Sequence, residues 1–385
     1  MIKKFNVEKT KKLDKLNKVL SKIYRKPSRE KEVKLSEIEN VLIIDFALMG
    51  DMVMNIPFLK TIRRNCPKSN ITMVAMPWAK VILGDQNLVD EFITFDGKNK
   101  LSSPKMILKN ALEIRKVLRE INQKTYQIAI EPKGDLRHIW FMRMTRSQRT
   151  VSYNYTGGDY LITDCFVPKA NTQHLIDEKL DLLEFIDMKI GDVDRTPSLV
   201  LSKESNKIIE DFINENNIKN KRIIGLHPGA SNINKQFRYY PQLISRLAEV
   251  LLDRDFFCVF EGPGEDEIVD EVCKSLEENK ISFVRVKRPT KEYVALVSVC
   301  DIMICNDSAA GHIAASYGIP SVVIFGPVKP ETALPKGKTT VKYISHDLGC
   351  KPCTLPICPY GTNECINGIS VNEVYDMVIK ILALE

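Results

Sequence analysis

Ile304-Cys305-Asn306-Asp307-Ser308-Ala309-Ala310-Gly311-His312 passes from a short apolar run into a small-residue turn at the point where a helix must begin. The run Asp301-Ile302-Met303-Ile304-Cys305 reads as a buried strand, and His312 to Tyr317 followed by Gly318 reads as a helix with a glycine stop. The first backbone N–H groups of a helix have no intrahelical partner, and the macrodipole there is positive. A diphosphate placed at such a turn meets donors and favourable potential together. Asp307 would repel an anion, so it caps the helix or accepts from a sugar hydroxyl, while Ser308, Ala309, the amides after them and His312 face the charge. The plainer alternative is an ordinary helix start with a core histidine one turn on.

Two further turns follow the same logic. Val41-Leu42-Ile43-Ile44 runs into Ala47-Leu48-Met49-Gly50-Asp51, after which Val53, Ile56, Leu59 and Ile62 recur at helical spacing. Ile223-Ile224-Gly225-Leu226 runs into His227-Pro228-Gly229-Ala230-Ser231, a turn whose small residues let an anion approach the backbone. Between and around them, strands are expected near Val41–Phe46, Ile71–Ala75, Phe92–Phe95, Gln127–Ile130, Ile223–Leu226, Phe257–Phe260, Phe283–Val286, Ile302–Cys305 and Val322–Phe325. They alternate with helical stretches such as Ile107–Ile121, the pattern of doubly wound parallel sheets.

At 385 residues the chain exceeds what one core usually supports, and its 44% hydrophobic and 27% charged residues are those of a globular protein. No run approaches the ~20 apolar residues of a membrane span, and the N-terminus lacks the apolar stretch of a signal peptide, so a cytoplasmic location is expected. The net charge of +7 is unevenly distributed: residues 1–34 hold 13 Lys or Arg against 4 Asp or Glu, the remainder 43 against 45. Within that basic start Leu13, Leu16, Val19, Leu20, Ile23 and Tyr24 recur at helical spacing among lysines until Pro27. Such a helix suits an anionic membrane surface or packs on the body, and it lacks the interleaved aromatics that nucleic-acid stacking needs.

The motifs, taken in order, resemble the ADP-heptose:lipopolysaccharide heptosyltransferase family. They are Gly50-Asp51 after the first strand, His227-Pro-Gly-Ala-Ser231 followed by Lys235 and Phe237, Gly262-Pro-Gly-Glu265, Asn306-Asp-Ser-x-x-x-His312, the Gly318-Ile-Pro-Ser-Val-Val-Ile-Phe-Gly-Pro run and a closing cysteine cluster. The resemblance spans about residues 39–385. It implies a GT-B glycosyltransferase: two Rossmann-like doubly wound domains facing across a cleft, an acceptor-binding one over 39–190, a linker over 191–200, and a nucleotide-sugar-binding one over 201–369 with a Cys-rich loop at 350–365. Residues 1–38 form the basic extension, and 370–385 a terminal helix that by the same analogy crosses back onto the first domain.

The reaction so implied is inverting transfer of heptose from ADP-heptose to a lipid-linked saccharide acceptor of the lipopolysaccharide inner core, on the inner face of the cytoplasmic membrane, with no metal required for catalysis. Asp51 resembles the family's general base, although an Asp in that place also stabilises a helix start. Lys235 matches the lysine that meets donor phosphate. Donor contacts are expected from His227, Ser231, Gly262, Asn306, Asp307, Ser308, Ala309 and His312, and acceptor contacts from Lys133, Arg137 and His138. His174 also sits at the place of a family histidine.

The chain departs from the pattern at Asp45, where relatives often carry Lys or Arg, and at Phe237-Arg238, where Trp-Pro is usual. Six cysteines, Cys66, Cys165, Cys258, Cys273, Cys300 and Cys305, lie singly in apolar elements and read as core. The other four, Cys350, Cys353, Cys358 and Cys365, are dense enough for a structural zinc site. Three other readings stay open: a transferase of the same fold using another nucleotide sugar, a sugar-nucleotide epimerase, and a catalytically silent membrane-surface protein.

Overall fold

The computed structural model describes residues 17–28, 34–168, 173–191, 195–353, 355 and 357–382. The chain divides into two compact units, residues 1–195 and 196–385.

The first unit is built on a six-stranded parallel sheet: β1 (Asn40–Asp45), β2 (Asn70–Ala75), β3 (Glu91–Thr94), β4 (Tyr126–Glu131), β5 (Ser147–Tyr153) and β6 (Asp164–Phe166), in the order β3-β2-β1-β4-β5-β6. β1 is buried on both faces from Val41 to Asp45, which explains why it reads as an unbroken apolar run and not as an alternation. Leu42 and Ile44 join Phe95, Ile139 and Phe141 in one core. Residues 17–23 are helical, and Leu20 packs against that core. Asn17 fixes this helix: its Nδ2 donates to the Thr156 carbonyl at 2.8 Å and its Oδ1 accepts from the Tyr160 hydroxyl at 3.1 Å. The remainder of the expected basic helix, Leu13 and Leu16 included, lies outside the described residues.

The second unit repeats the plan with β7 (Arg222–His227), β8 (Asp255–Phe260), β9 (Phe283–Val286), β10 (Ile302–Asn306), β11 (Ser321–Phe325) and β12 (Val341–Ser345), ordered β12-β11-β10-β7-β8-β9. Ile224, Leu226, Phe257, Ile302, Ile304, Val322 and Ile324 form its core. The terminal helix Val371–Leu382 buries Val374, Val378 and Ile381 in that same core, so its apolar face is taken up by the second sheet.

Some expectations need adjustment. The stretch Ile107–Ile121 is two helices, Pro104–Lys109 and Ala111–Ile121, because Asn110 ends the first and opens the second. Strands β5, β6 and β12 carry no apolar run and escape the sequence pattern. Among the described residues no helix is long and apolar enough to cross a membrane.

Candidate active site

In both sheets the strand order reverses between two neighbours, β1 and β4 in the first and β7 and β10 in the second. The crevice outside the carboxyl ends of strands at such a reversal is where open α/β sheets bind ligands. The turns singled out above lie at these ends: 46–51 follows β1, 132–138 follows β4, 228–235 follows β7, and 307–312 follows β10.

In the second unit four expected residues come together. Lys235, in the short helical turn Ile233–Lys235, places Nζ 2.6 Å from Asp307 Oδ2, with the two side chains 22% and 8% exposed. Three N–H groups belong to an ammonium, so one can serve Asp307 while the others remain for a phosphate oxygen. Ser308 occupies the cap position of the helix Ala309–Ser316, yet its hydroxyl makes no capping bond and lies 3.1 Å from His227 Nδ1. The helix amides are therefore not satisfied by that side chain. His312, one turn in, is buried, and Ala309 is half-buried at the helix start. Gly311 accommodates close packing: a Cβ there would lie 3.1 Å from the Cys305 sulfur.

Asn306 has another task. Its Oδ1 accepts from the Phe237 amide at 3.1 Å and the Tyr240 hydroxyl at 3.2 Å, and its Nδ2 donates to the Pro228 carbonyl at 2.6 Å. Every polar atom of this fully buried amide is committed, and it ties the β7 turn, the Phe237 loop and β10 together. Asn306 thus supports the turn after β10 from beneath. Phe237 is likewise fully buried and packs edge-on against Tyr240, filling the core where relatives carry Trp, while Arg238 is exposed. Ser231 stands exposed on its loop. Gly262 donates its amide to Glu265 Oε2 at 2.7 Å, and that carboxylate lies 3.3 Å from His227 Nε2. Burial works to raise the Glu265 pKa, but the His227 hydrogen bond and charge and the Gly262 amide outweigh it and hold the carboxyl below its ordinary value. Sequence reading quoted Glu265 in a motif without giving it a role.

In the first unit, Asp51 is the third residue of the helix Met49–Met54, partly exposed, and its Oδ2 accepts from the Leu48 amide at a long 3.4 Å. Leu48 is the cap residue, and the Asp51 carboxylate returns a bond to its amide at the helix start. Asp45 is 1% exposed and structural: Oδ1 accepts from the Ala47 amide at 3.0 Å and Oδ2 from Asn55 Nδ2 at 2.9 Å. Its charge is met by Lys179, 3.6 Å away on the helix Leu175–Glu184, whose ammonium also donates to Asn55 Oδ1. A buried cation therefore sits at the first turn although the strand end is acidic. Lys179 was invisible to local pattern, because it reaches Asn55 across 124 positions.

The three residues expected at the acceptor part ways. His138 is 3% exposed and lies 3.2 Å from Glu131 Oε1, beneath the loop that Glu131 organises by accepting from the Gly134 amide and the Ser152 hydroxyl, both at 2.6 Å. Arg137 pairs with Asp135, the cap of the helix Leu136–Arg143. Burial opposes ionisation of Asp135, but the Arg137 hydrogen bond and the charges of His138 and Arg137 hold its carboxyl far below the usual range. Lys133 is half-buried and has no ion pair among the described residues, which leaves it the free cation of the three. His174 caps the helix Leu175–Glu184 by accepting from the Ile176 amide at 3.2 Å.

The cysteines divide as well. Cys66, Cys258, Cys300 and Cys305 are buried core residues, and burial pushes the Cys258 thiol up to about 12. Cys165 and Cys273 are only half-buried. Cys350 is exposed while Cys365 is buried in the short helix Glu364–Asn367, and no three His, Cys, Asp or Glu side chains gather to hold a metal among the described residues. The charges of Cys350, Cys353 and Cys358 nevertheless all reach the Cys365 thiol, so the four cysteines share one neighbourhood.

The sequence profile of glycosyltransferase family 9 (heptosyltransferase) matches residues 114–362. The chain belongs to this family. A lipooligosaccharide heptosyltransferase 2 of Haemophilus influenzae is 25% identical over 322 residues, covering 80% of this chain and 90% of that protein. The namesake from Campylobacter jejuni is 30% identical over 164 residues, a match spanning only 52% of its length. Among solved structures, a family 9 glycosyltransferase from Veillonella parvula superposes with a TM-score of 0.75 at 20% identity, covering 92% of this chain and 99% of that one. The ADP-heptose lipopolysaccharide heptosyltransferase II of E. coli gives 0.70 at 18% identity, covering 90% and 99%. Both likenesses establish the GT-B fold for this family 9 chain.

Proposed function

We propose that the protein is an inverting glycosyltransferase that moves heptose from ADP-heptose to a sugar hydroxyl of a lipopolysaccharide or lipooligosaccharide inner-core acceptor. The observation that carries the reading is the grouping of Lys235, Asp307, Ser308 and His227 where the second sheet reverses order, beside a helix start whose cap hydroxyl is turned away. That grouping matches the needs of a departing diphosphate: a cation beside the first amides of a helix, which the side chain of the cap residue does not occupy.

In this reading Asp51 takes the proton from the acceptor hydroxyl as its oxygen attacks the anomeric carbon. The bond from that carbon to the β-phosphate oxygen breaks, and ADP leaves with its charge met by Lys235 and the amides of the helix Ala309–Ser316. Asp307 accepts from a donor hydroxyl while holding Lys235 in place. Ser231, Gly262, Ala309 and His312 border the donor, and Lys133 is the cation offered to an anionic acceptor.

A lipid-linked acceptor requires access to a membrane, and the N-terminal helix supports that. It is fixed to the first unit by Asn17 and Leu20, and it leaves Val19 57% and Ile23 67% exposed beside Lys18 and Lys22, with Arg25 and Lys26 following. Apolar side chains flanked by basic ones suit an anionic lipid surface.

Incubation with ADP-heptose and a deacylated inner-core acceptor tests the proposal through ADP release and the mass of the product. Asp51→Asn keeps the size and the weak bond to Leu48, so it should melt and bind ADP like the parent while transfer falls by ~10²–10⁴. Near-parental transfer by that variant would remove Asp51 as the base, and transfer from a different nucleotide sugar alone would overturn the donor.

A further inference from the structure

Glu265 has no expected donor contact of its own, yet it is firmly held by two residues that have one. Its Oε2 accepts from the Gly262 amide at 2.7 Å and lies 3.3 Å from His227 Nε2, with the side chain 11% exposed. Gly229 makes room for it, since a Cβ at that residue would stand 1.9 Å from the Glu265 carboxyl carbon. On the other side of the imidazole, Nδ1 is 3.1 Å from the Ser308 hydroxyl. The three side chains form one line: Glu265, His227, Ser308.

We infer that Glu265 is a positioning residue that acts through the His227 imidazole to hold the Ser308 hydroxyl off the first amides of the helix Ala309–Ser316 and leave them to the donor diphosphate, an inference that rests on the donor site proposed above. An ionised carboxylate only accepts, so Glu265 draws the proton of a neutral imidazole to Nε2 and leaves Nδ1 an acceptor. Ser308 then gives its O–H to His227, which accounts for the absent capping bond. Without the carboxylate nothing fixes which ring nitrogen faces Ser308; a ring N–H turned toward it releases the hydroxyl to cap the helix amides in competition with the diphosphate. The other groups around the line are the Lys235–Asp307 pair, the Tyr293 ring set edge-on to His227 at 6.1 Å, and the Cys305 thiol that meets Ser308.

The test compares ADP with inorganic pyrophosphate, which carries the diphosphate without ribose or base, as ligands of the full chain. Glu265→Gln should weaken both by the same factor, about tenfold, as the released hydroxyl competes for the helix amides. In a Ser308→Ala background the same change should have no further effect, since the hydroxyl it steers is gone. Gly229→Ala provides a second route, because its methyl displaces the carboxylate without altering it, and it should reproduce the Glu265→Gln pattern. Weakened ADP binding with pyrophosphate unchanged would mean that Glu265 meets the nucleoside itself, and the inference would fail. Additive effects of Glu265→Gln and Ser308→Ala would also overturn it. Parental protein that binds neither ligand overturns the donor reading itself, a result distinguishable from either of these.

Discussion

Replacing Lys179 by Met removes one charge and little volume, and the structure lets the cost be worked out. The Lys179 side chain is 8% exposed and that of Asp45 1%, so water cannot take over the role of either partner. With the ammonium gone, the Asp45 carboxylate keeps the Ala47 amide at 3.0 Å and Asn55 Nδ2 at 2.9 Å but loses its counter-charge, and Asn55 Oδ1 loses its donor. Breaking a buried pair from one side costs ~3–5 kcal/mol, against the ~5–15 kcal/mol that holds a domain together. For a unit of this size each kcal/mol moves the melting temperature by ~2–4 °C, so Lys179→Met should lower the Tm by roughly 6–20 °C. The double variant Asp45→Asn with Lys179→Met removes both charges and should regain most of that loss, because an uncharged pair has no unpaired ion to bury. Urea and thermal denaturation of the parent, both single variants and the double variant make the cycle. A Lys179→Met protein within ~1 kcal/mol of the parent, or a double variant no more stable than the worse single one, would refute the reasoning.

Two further outcomes follow from the geometry. Asp255 is buried, which works to raise its pKa, but hydrogen bonds from Arg222 at 2.6 and 2.9 Å and from the Leu252 amide, with the Arg222 charge, hold it below its ordinary value. A carboxyl lowered in the folded state contributes stability above its unfolded pKa and loses it as pH falls through the folded one. The stability gap between the parent and Asp255→Asn should therefore be steady near neutrality and close in acid, and urea midpoints across that range check it. Reversing Lys18 and Lys22 to Glu should reduce co-sedimentation with anionic vesicles at least about tenfold at low salt, at ~1 kcal/mol for each basic residue near the surface, with the difference shrinking as salt rises. Equal partitioning of the two proteins would remove the helix as a membrane contact.

What could be read from the sequence divides along physical lines. Strands β1, β4, β7 and β10 are central, so both of their faces must be apolar, and a run such as Val41-Leu42-Ile43-Ile44 announces itself. The candidate turns follow the ends of these same strands, so their positions in the fold were legible along with the strands. Strands nearer the rim need fewer apolar residues: Ser147–Tyr153 mixes polar with buried positions, and in Val341–Ser345 only Ile344 is buried. Neither has a signal to separate it from a loop.

Within the candidate site, the motifs name residues but not their partnerships, because a motif gives spacing along the chain and not the contact across it. His312, Ser308 and Lys235 were legible as types that suit an anion. That Asn306 is wholly occupied in binding three chain segments depends on a neighbour 66 positions away that no local window contains, and that His138 is turned inward to Glu131 depends on how the loop between them folds, which spacing does not give. The departure at Asp45 shows the point most clearly. Read alone, an acid where relatives carry a base counts against any cationic function at the first turn. With Lys179 delivered from a helix that begins at Leu175, the same turn holds an acid and a cation in contact, so the local charge is balanced and the turn that leads to Asp51 is held from both sides. The positive charge at that turn is supplied from a different element, and the acid that stands out at one position finds its partner only once the fold brings Lys179 in.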